Sequence, residues 1–290
     1  TLQISLIESY QRELKKNILL VWILVSSALS ISYSQNEYVI ASYNLLNYPG
    51  NTSAIRNPYF RTVIENIQPD VLVVQEMLSQ AGVNEFLINV MNVASSGFAA
   101  GTFLDGPDTD NAIFYKTASF TFLANNPIQT DLRNISEFVL RENSTGDTLR
   151  IYSLHLKAGN AASEQQQRLS EVTTLRNVTD NLPQNSNFIV CGDFNIYGSN
   201  EACYQKLLNQ TTPGYLEDIY GLPGTWNNST YSQYHTQSAR VRQFGGGATG
   251  GMDDRFDMIL FSKAAMDTGS VYYVPDSFVN YGNDGNHYND

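Results

Sequence analysis

The chain has 290 residues, enough for one large domain, and its 42% apolar and 16% charged residues mark it as globular. Its 28 acidic against 17 basic side chains leave a formal net charge of −11, which excludes a polycationic binder, so a polyanionic substrate would need local positive charge such as a metal ion. Only Cys191 and Cys203 are present, which excludes a disulfide scaffold and a multi-thiolate zinc site. Both read as small core residues, with a single bridge between them left open.

In chain order, the basic stretch Arg12-Glu13-Leu14-Lys15-Lys16 precedes an apolar run from Ile18 to Leu29, and Ser32-Tyr33-Ser34 offers small residues for cleavage before Gln35. Residues 1–34 are expected to be an N-terminal extension with a signal peptide, and residues 35–290 a secreted or extracytoplasmic domain. The apolar run is shorter than the roughly 20 residues a membrane span needs, so no stable span is expected. Asn-x-Ser/Thr sequons such as Asn134, Asn177 and Asn228 decide nothing in a chain this rich in Asn, Ser and Thr.

Glu37 to Asn44 reads as a strand, Ala54 to Asn66 as a helix ended by Gln68-Pro69, and Asp70 to Gln75 as a buried strand. Val83, Phe86, Leu87, Val90 and Met91 form the apolar stripe of a helix lying on a sheet. Four strands follow, Ala112 to Tyr115, Phe120 to Leu123, Glu137 to Glu142 and Leu149 to Leu156, the last two joined by the turn Ser144-Thr145-Gly146-Asp147. A helix over Ser163 to Thr179, a strand over Phe188 to Cys191, a short helix over Ala202 to Leu208 and a strand over Phe256 to Phe261 complete the order. The glycine run from Gly245 to Gly251 reads as a flexible surface loop, because no helix follows it to cradle a phosphate. Strand–helix alternation around a hairpin-rich middle implies an α+β domain with sheets covered by helices.

The polar candidates sit where strands end: Asn44, Gln75-Glu76, His155, and Asp193 with Asn195 after the apolar run Ile189-Val190-Cys191-Gly192. Gly192 would let the backbone approach a ligand closely, and Asp193 and Asn195, two apart in an extended segment, would share one face. The same Asp-x-Asn spacing is also a common turn signal. Glu76 and the neutral amide of Asn44 offer hard oxygens suited to Mg²⁺ or Ca²⁺. His235 matches no motif and reads as a surface residue.

Taken together and in order, Ala41-Ser42-Tyr43-Asn44, Val73-Val74-Gln75-Glu76, Ser153-Leu154-His155-Leu156, Gly192-Asp193-Phe194-Asn195, Asp253-Asp254-Arg255-Phe256-Asp257 and Gly285-Asn286-His287-Tyr288 resemble the endonuclease/exonuclease/phosphatase superfamily. The resemblance covers residues 38 to 290. It implies a DNase I-like two-sheet β-sandwich in α/β/β/α layers and hydrolysis of phosphoesters assisted by a divalent metal, Mg²⁺ first and Mn²⁺ or Ca²⁺ after it. Glu76 and Asn44 would hold the metal. His287, oriented by Asp257, and Asp193 would position and deprotonate the attacking water, while His155 and Asn195 bind phosphoryl oxygens.

Two departures from the family pattern stand out. Asn286 replaces the acidic residue that many relatives place before the closing histidine, and only three residues follow His287, where relatives continue the strand, which reads as a truncation. Asp284 or Asp253 would be needed to compensate for Asn286. Export together with His155 favours a nuclease acting on nucleic acid. A sphingomyelinase-like phospholipase C is the alternative, with Tyr231, Tyr234, Tyr272, Tyr273 and Phe278 as aromatics for lipid contact. A 5-phosphatase is disfavoured because no Lys/Arg-dense pocket is visible, and a non-catalytic surface-binding protein with a degenerate site rests on Asn286 alone. Nothing in the sequence sets an oligomeric state.

Overall fold

Two sheets, stacked on each other, organise the chain. In this computed structural model residues 36–242, 244, 246–247 and 249–289 are described, and the compact unit begins at Tyr38. The expected signal segment, 1–34, lies outside the described residues. Among the described residues, no helix is long and apolar enough to cross a membrane.

The first sheet has the order β1 (Ile40–Tyr48), β2 (Val71–Met77), β4 (Asp110–Lys116), β3 (Phe98–Ala100). The second runs β5 (Phe120–Ile128), β6 (Ile135–Glu142), β7 (Thr148–His155), β8 (Phe188–Asp193), β10 (Asp257–Ser262), β9 (Leu216–Glu217). Within them β1 and β2 pair in parallel, as do β7 and β8. Helix α1 (Ser53–Ile67) supplies the crossover between the first pair, and α3 (Ala162–Thr179) that between the second.

Alternation along the strands makes three apolar layers. Val71 and Val73 of β2, Ile113 of β4, Leu149 and Ile151 of β7, and Ile189 and Cys191 of β8 meet between the sheets. Leu72 and Val74 instead face α1 and α2 (Gln80–Phe86) with Phe60, Ile64, Val83 and Phe86. Tyr152, Leu154 and Val190 face α3 and α4 (Ala202–Leu208) with Val172, Leu175, Tyr204 and Leu207. The layers are therefore helix, sheet, sheet, helix, as expected. The stripe from Val83 to Met91 is one rod, but it widens into a π-type turn over Leu87–Met91.

Cys191 and Cys203 are free and buried in different layers. Helix α3 hides charge as well as apolar surface. Arg168 pairs with Glu201 at 2.8 Å, and Arg176 donates to the carbonyls of Leu207 (3.0 Å) and Asn209 (3.2 Å), satisfying the open C-terminal end of α4. His235, expected at the surface, is fully buried, its Nε2 2.8 Å from the Trp226 carbonyl. A buried carbonyl needs a partner, and the ring supplies it.

Candidate active site

The parity of the strands explains why the site lies between the sheets. Asn44 shares the parity of Ile40 and Ser42, His155 that of Ile151 and Ser153, and Asp193 that of Ile189 and Cys191, so all three continue the inter-sheet face past the apolar layer. Directly beneath them the layer turns polar. Gln75 donates across the sheets to Ser153 (3.1 Å), whose hydroxyl donates to Asn111 (2.9 Å).

Simple alternation would turn Glu76 toward the helices. Instead its φ of 59° and the register shift between Val74 and Met77 swing it back to Asn44. There Glu76 accepts from Asn44 Nδ2 and from the Asn47 amide, each at 2.9 Å. Asn44 Nδ2 also reaches Asp193 Oδ2 at 3.1 Å, while Asn44 Oδ1 accepts from the Leu46 amide at 2.9 Å. Asn44 thus presents its nitrogen, not the oxygen expected of a ligand, to the two carboxylates.

Three acidic or basic groups form a row across the second sheet. His155 and Asp193 are register partners on β7 and β8, and Asp193 and Asp257 on β8 and β10. His155 Nε2 lies 3.8 Å from Asp193, and its Nδ1 lies 4.0 Å from Glu76. Burial, helped by the nearby Arg133, pushes the histidine down to about 4, so the ring is neutral at neutral pH. Burial pushes the Asp193 carboxyl up, against hydrogen bonds from Asn44 and Asn195. Asp257 is pushed up by burial and by the charges of Asp193 and Glu76, and its Oδ1 has no hydrogen-bond partner.

Gly192 and Asn195 play parts different from those expected. A Cβ on Gly192, at φ 132°, would stand 2.0 Å from the Leu154 carbonyl oxygen, so the close approach is to the neighbouring strand rather than to a ligand. Asn195 is not extended: at φ 50° its amide caps Asp193 Oδ1 at 3.0 Å, and its Nδ2 donates to Leu156 at 3.0 Å. The turn reading of Asp-x-Asn is realised.

His287 is placed apart from this row. Its ring is 59% exposed and 3.6 Å from Asp284, in a segment without regular structure anchored by Ser232 on the Gly285 carbonyl (2.7 Å) and Tyr288 on Asn227 (2.7 Å). Arg133 was missed from sequence: it pairs with Asp108 at 2.8 Å and donates to the His155 carbonyl at 3.3 Å. Gln75 was visible as a polar residue at the end of an apolar strand, and only the structure assigns it the bridge between sheets. The glycine run leads into β10 with no helix between.

The group fits a divalent cation on its chemistry. Glu76, Asp193 and Asp257 are hard oxygen donors, the charges of the first two raise the proton affinity of the third, and a cation would relieve that repulsion. Among the described residues no group of three or more His, Cys, Asp or Glu side chains is placed to hold a metal ion together.

The model of the Endonuclease/Exonuclease/phosphatase family matches residues 41–278. The chain belongs to this family. Its members are phosphoric ester hydrolases, generally dependent on a divalent metal, and this chain is a hydrolase of that class. Solved structures share the fold at low identity. D. rerio TDP2 complexed with single strand DNA product superposes with a TM-score of 0.57 at 17% identity, over 78% of this chain and 84% of that one. An endonuclease/exonuclease/phosphatase family protein from Bacteroides thetaiotaomicron gives 0.56 at 19% identity, over 79% and 84%. A mannosyl-6-phosphatase from the same organism gives 0.54 at 20%, over 79% and 86%. No curated protein sequence matches the chain.

Proposed function

We propose that this hydrolase is a divalent-metal-dependent phosphodiesterase acting on nucleic acid. The observation that carries the reading is the row His155–Asp193–Asp257 facing Glu76 and Asn44 across the gap between the sheets. Glu76, oriented by the Asn44 Nδ2 hydrogen bond, would hold the ion, whose chemistry is to offset negative charge on the reacting phosphate. Asp193, fixed by Asn44 Nδ2 and the Asn195 amide, carries a raised proton affinity and takes the proton of the attacking water. Neutral His155 donates a hydrogen bond to a phosphoryl oxygen, and Asn195 adds its second amide hydrogen. Asp257 and His287 are assigned to the proton relay in this proposal, which requires His287 to leave Asp284 and approach the row when substrate binds.

Support for nucleic acid comes from the fold shared with a TDP2 crystallised with a single-stranded DNA product. The lipid alternative loses much of its motive. Tyr234 packs on Tyr220 (4.6 Å) and Tyr231 (6.5 Å), Phe278 on Tyr220 (5.4 Å), and Tyr273 on Phe261 (5.0 Å), so these four rings are occupied within the domain, while Tyr272 is exposed. A second reading, a phosphomonoesterase, rests on the fold shared with a mannosyl-6-phosphatase. We further propose that residues 1–34 direct export.

The test is a panel of duplex DNA, single-stranded DNA, RNA, sphingomyelin, a sugar phosphate and a chromogenic phosphodiester, with Mg²⁺, Mn²⁺, Ca²⁺ or chelator. Metal-stimulated cleavage of a nucleic acid is expected. Turnover of the sugar phosphate or sphingomyelin alone would overturn the substrate, and turnover unaffected by chelator would overturn the metal.

A further inference from the structure

The segment after Asn44 is built in an expensive conformation. Leu46 (φ 49°) and Asn47 (φ 50°) are both left-handed, which L-residues with a Cβ resist. That bend aims two consecutive amides at the site: Leu46 N–H at Asn44 Oδ1 and Asn47 N–H at Glu76 Oε2, each at 2.9 Å. Something must hold it.

The holder comes from the first turns of α1. The Arg56 guanidinium donates to the carbonyls of Leu45 (2.5 Å) and Leu46 (3.0 Å) through Nη1, and of Pro49 (3.3 Å) through Nη2. Its Cζ lies over the rings of Tyr48 (5.7 Å) and Phe60 (5.5 Å), both in the helix-side core. From the other side the Leu78 amide holds the Tyr48 carbonyl at 2.8 Å. A lysine could not span these carbonyls, because its single ammonium lacks the planar fork.

We propose that Arg56 is a positioning residue for the acidic half of the site: by clamping the carbonyls of residues 45–49 it keeps the Leu46 and Asn47 amides on Asn44 and Glu76. The metal-binding part of this inference rests on the function proposed above; the clamp itself does not. Three of its five N–H donors are on these carbonyls, while Nε is buried without a hydrogen-bond partner.

The experiment compares wild type, R56M, R56K and the double variants R56M/N47G and R56K/N47G. Glycine adopts a positive φ without strain, so N47G lets the bend persist with less help from the arginine. In folded R56M the Leu46 and Asn47 amides should exchange with solvent at least about ten-fold faster. The Mg²⁺ dissociation constant, measured by calorimetry without substrate, should rise by roughly ten-fold or more. KM at saturating Mg²⁺ should stay within about two-fold, and N47G should recover most of both losses. Unchanged exchange at both amides would overturn the proposal, as would a raised KM with unchanged Mg²⁺ affinity, which would make Arg56 a substrate contact. If R56M does not fold, R56K and R56K/N47G decide by the same signs. If wild type binds neither Mg²⁺ nor Mn²⁺, the metal-dependent function fails, while amide exchange still decides the clamp.

Discussion

Asp193 and Asp257 are register partners on adjacent antiparallel strands, and the charge of the first raises the proton affinity of the second. Like charges placed opposite each other in a sheet cost stability. An acid whose folded-state pKa is raised stabilises the fold at low pH and loses that contribution as pH rises through the folded value. D257N should therefore raise stability at pH 8 in the absence of divalent ions. At pH 3, below the ordinary carboxylate value of 3.8, the two proteins should melt together. Thermal unfolding at both pH values checks this, and equal melting at pH 8 would sink it.

The catalytic assignment separates by rate. D193N should lower kcat by about 10²- to 10⁴-fold, the usual scale for losing a positioned base. H287A should cost at least about ten-fold if its ring completes the relay with Asp257. Full activity in H287A would leave Asp193 as the sole proton acceptor. Steady-state kinetics at saturating metal distinguishes these outcomes.

Gly192 faces a backbone carbonyl, which has no flexible end to move aside. G192A should cost on the order of 4 kcal/mol or leave no folded protein, because a Cβ would come 2.0 Å from the Leu154 oxygen. Denaturant unfolding measures the loss. A change below about 1 kcal/mol would mean that the β7–β8 pair can separate at little cost.

Glu142 predicts the acid limb of stability. Burial pushes this carboxyl up, but hydrogen bonds from Tyr38, Thr145 and Ser144 outweigh it and hold it at about 2, against an ordinary value of 4.5. A depressed acid contributes stability above its unfolded value and loses it as pH falls through the folded one. Wild type should lose stability between pH 4.5 and 2 more steeply than E142Q. Urea midpoints across that range test it, and parallel curves would refute it.

The strands and helices that position the site were legible because their apolar periodicity is strong: Val71 to Val74, Ile189 to Cys191, and the stripe from Val83 to Met91. Strands of two or three residues, Leu216–Glu217 and Phe98–Ala100, carry too little pattern to see. The site residues were legible as polar side chains ending apolar strands, but their conformations were not. Nothing in the sequence announces the left-handed backbone at Glu76, and at Asn195 only the Asp-x-Asn turn signal points to it. Polarity also misleads on burial: His235, Arg168 and Arg255 are all buried, and the last is held by Asp218 at 2.6 Å and 2.9 Å, because hydrogen bonding satisfies what burial would otherwise penalise.

The order of the strands gives the chain a seam. The first sheet uses residues 40–116 and the second 120–262, with only Thr117, Ala118 and Ser119 between β4 and β5. Asn44 and Glu76 lie on the amino-terminal side of that turn, and His155, Asp193, Asn195 and Asp257 on the other. Each half alone would carry an incomplete set of chemical groups and one uncovered apolar sheet face, so hydrolysis becomes a readout of whether the halves have met. A chain divided at the turn would be a complementation pair, silent apart and active on reassembly, with the Gln75–Ser153 bond as the latch that sets the halves in register.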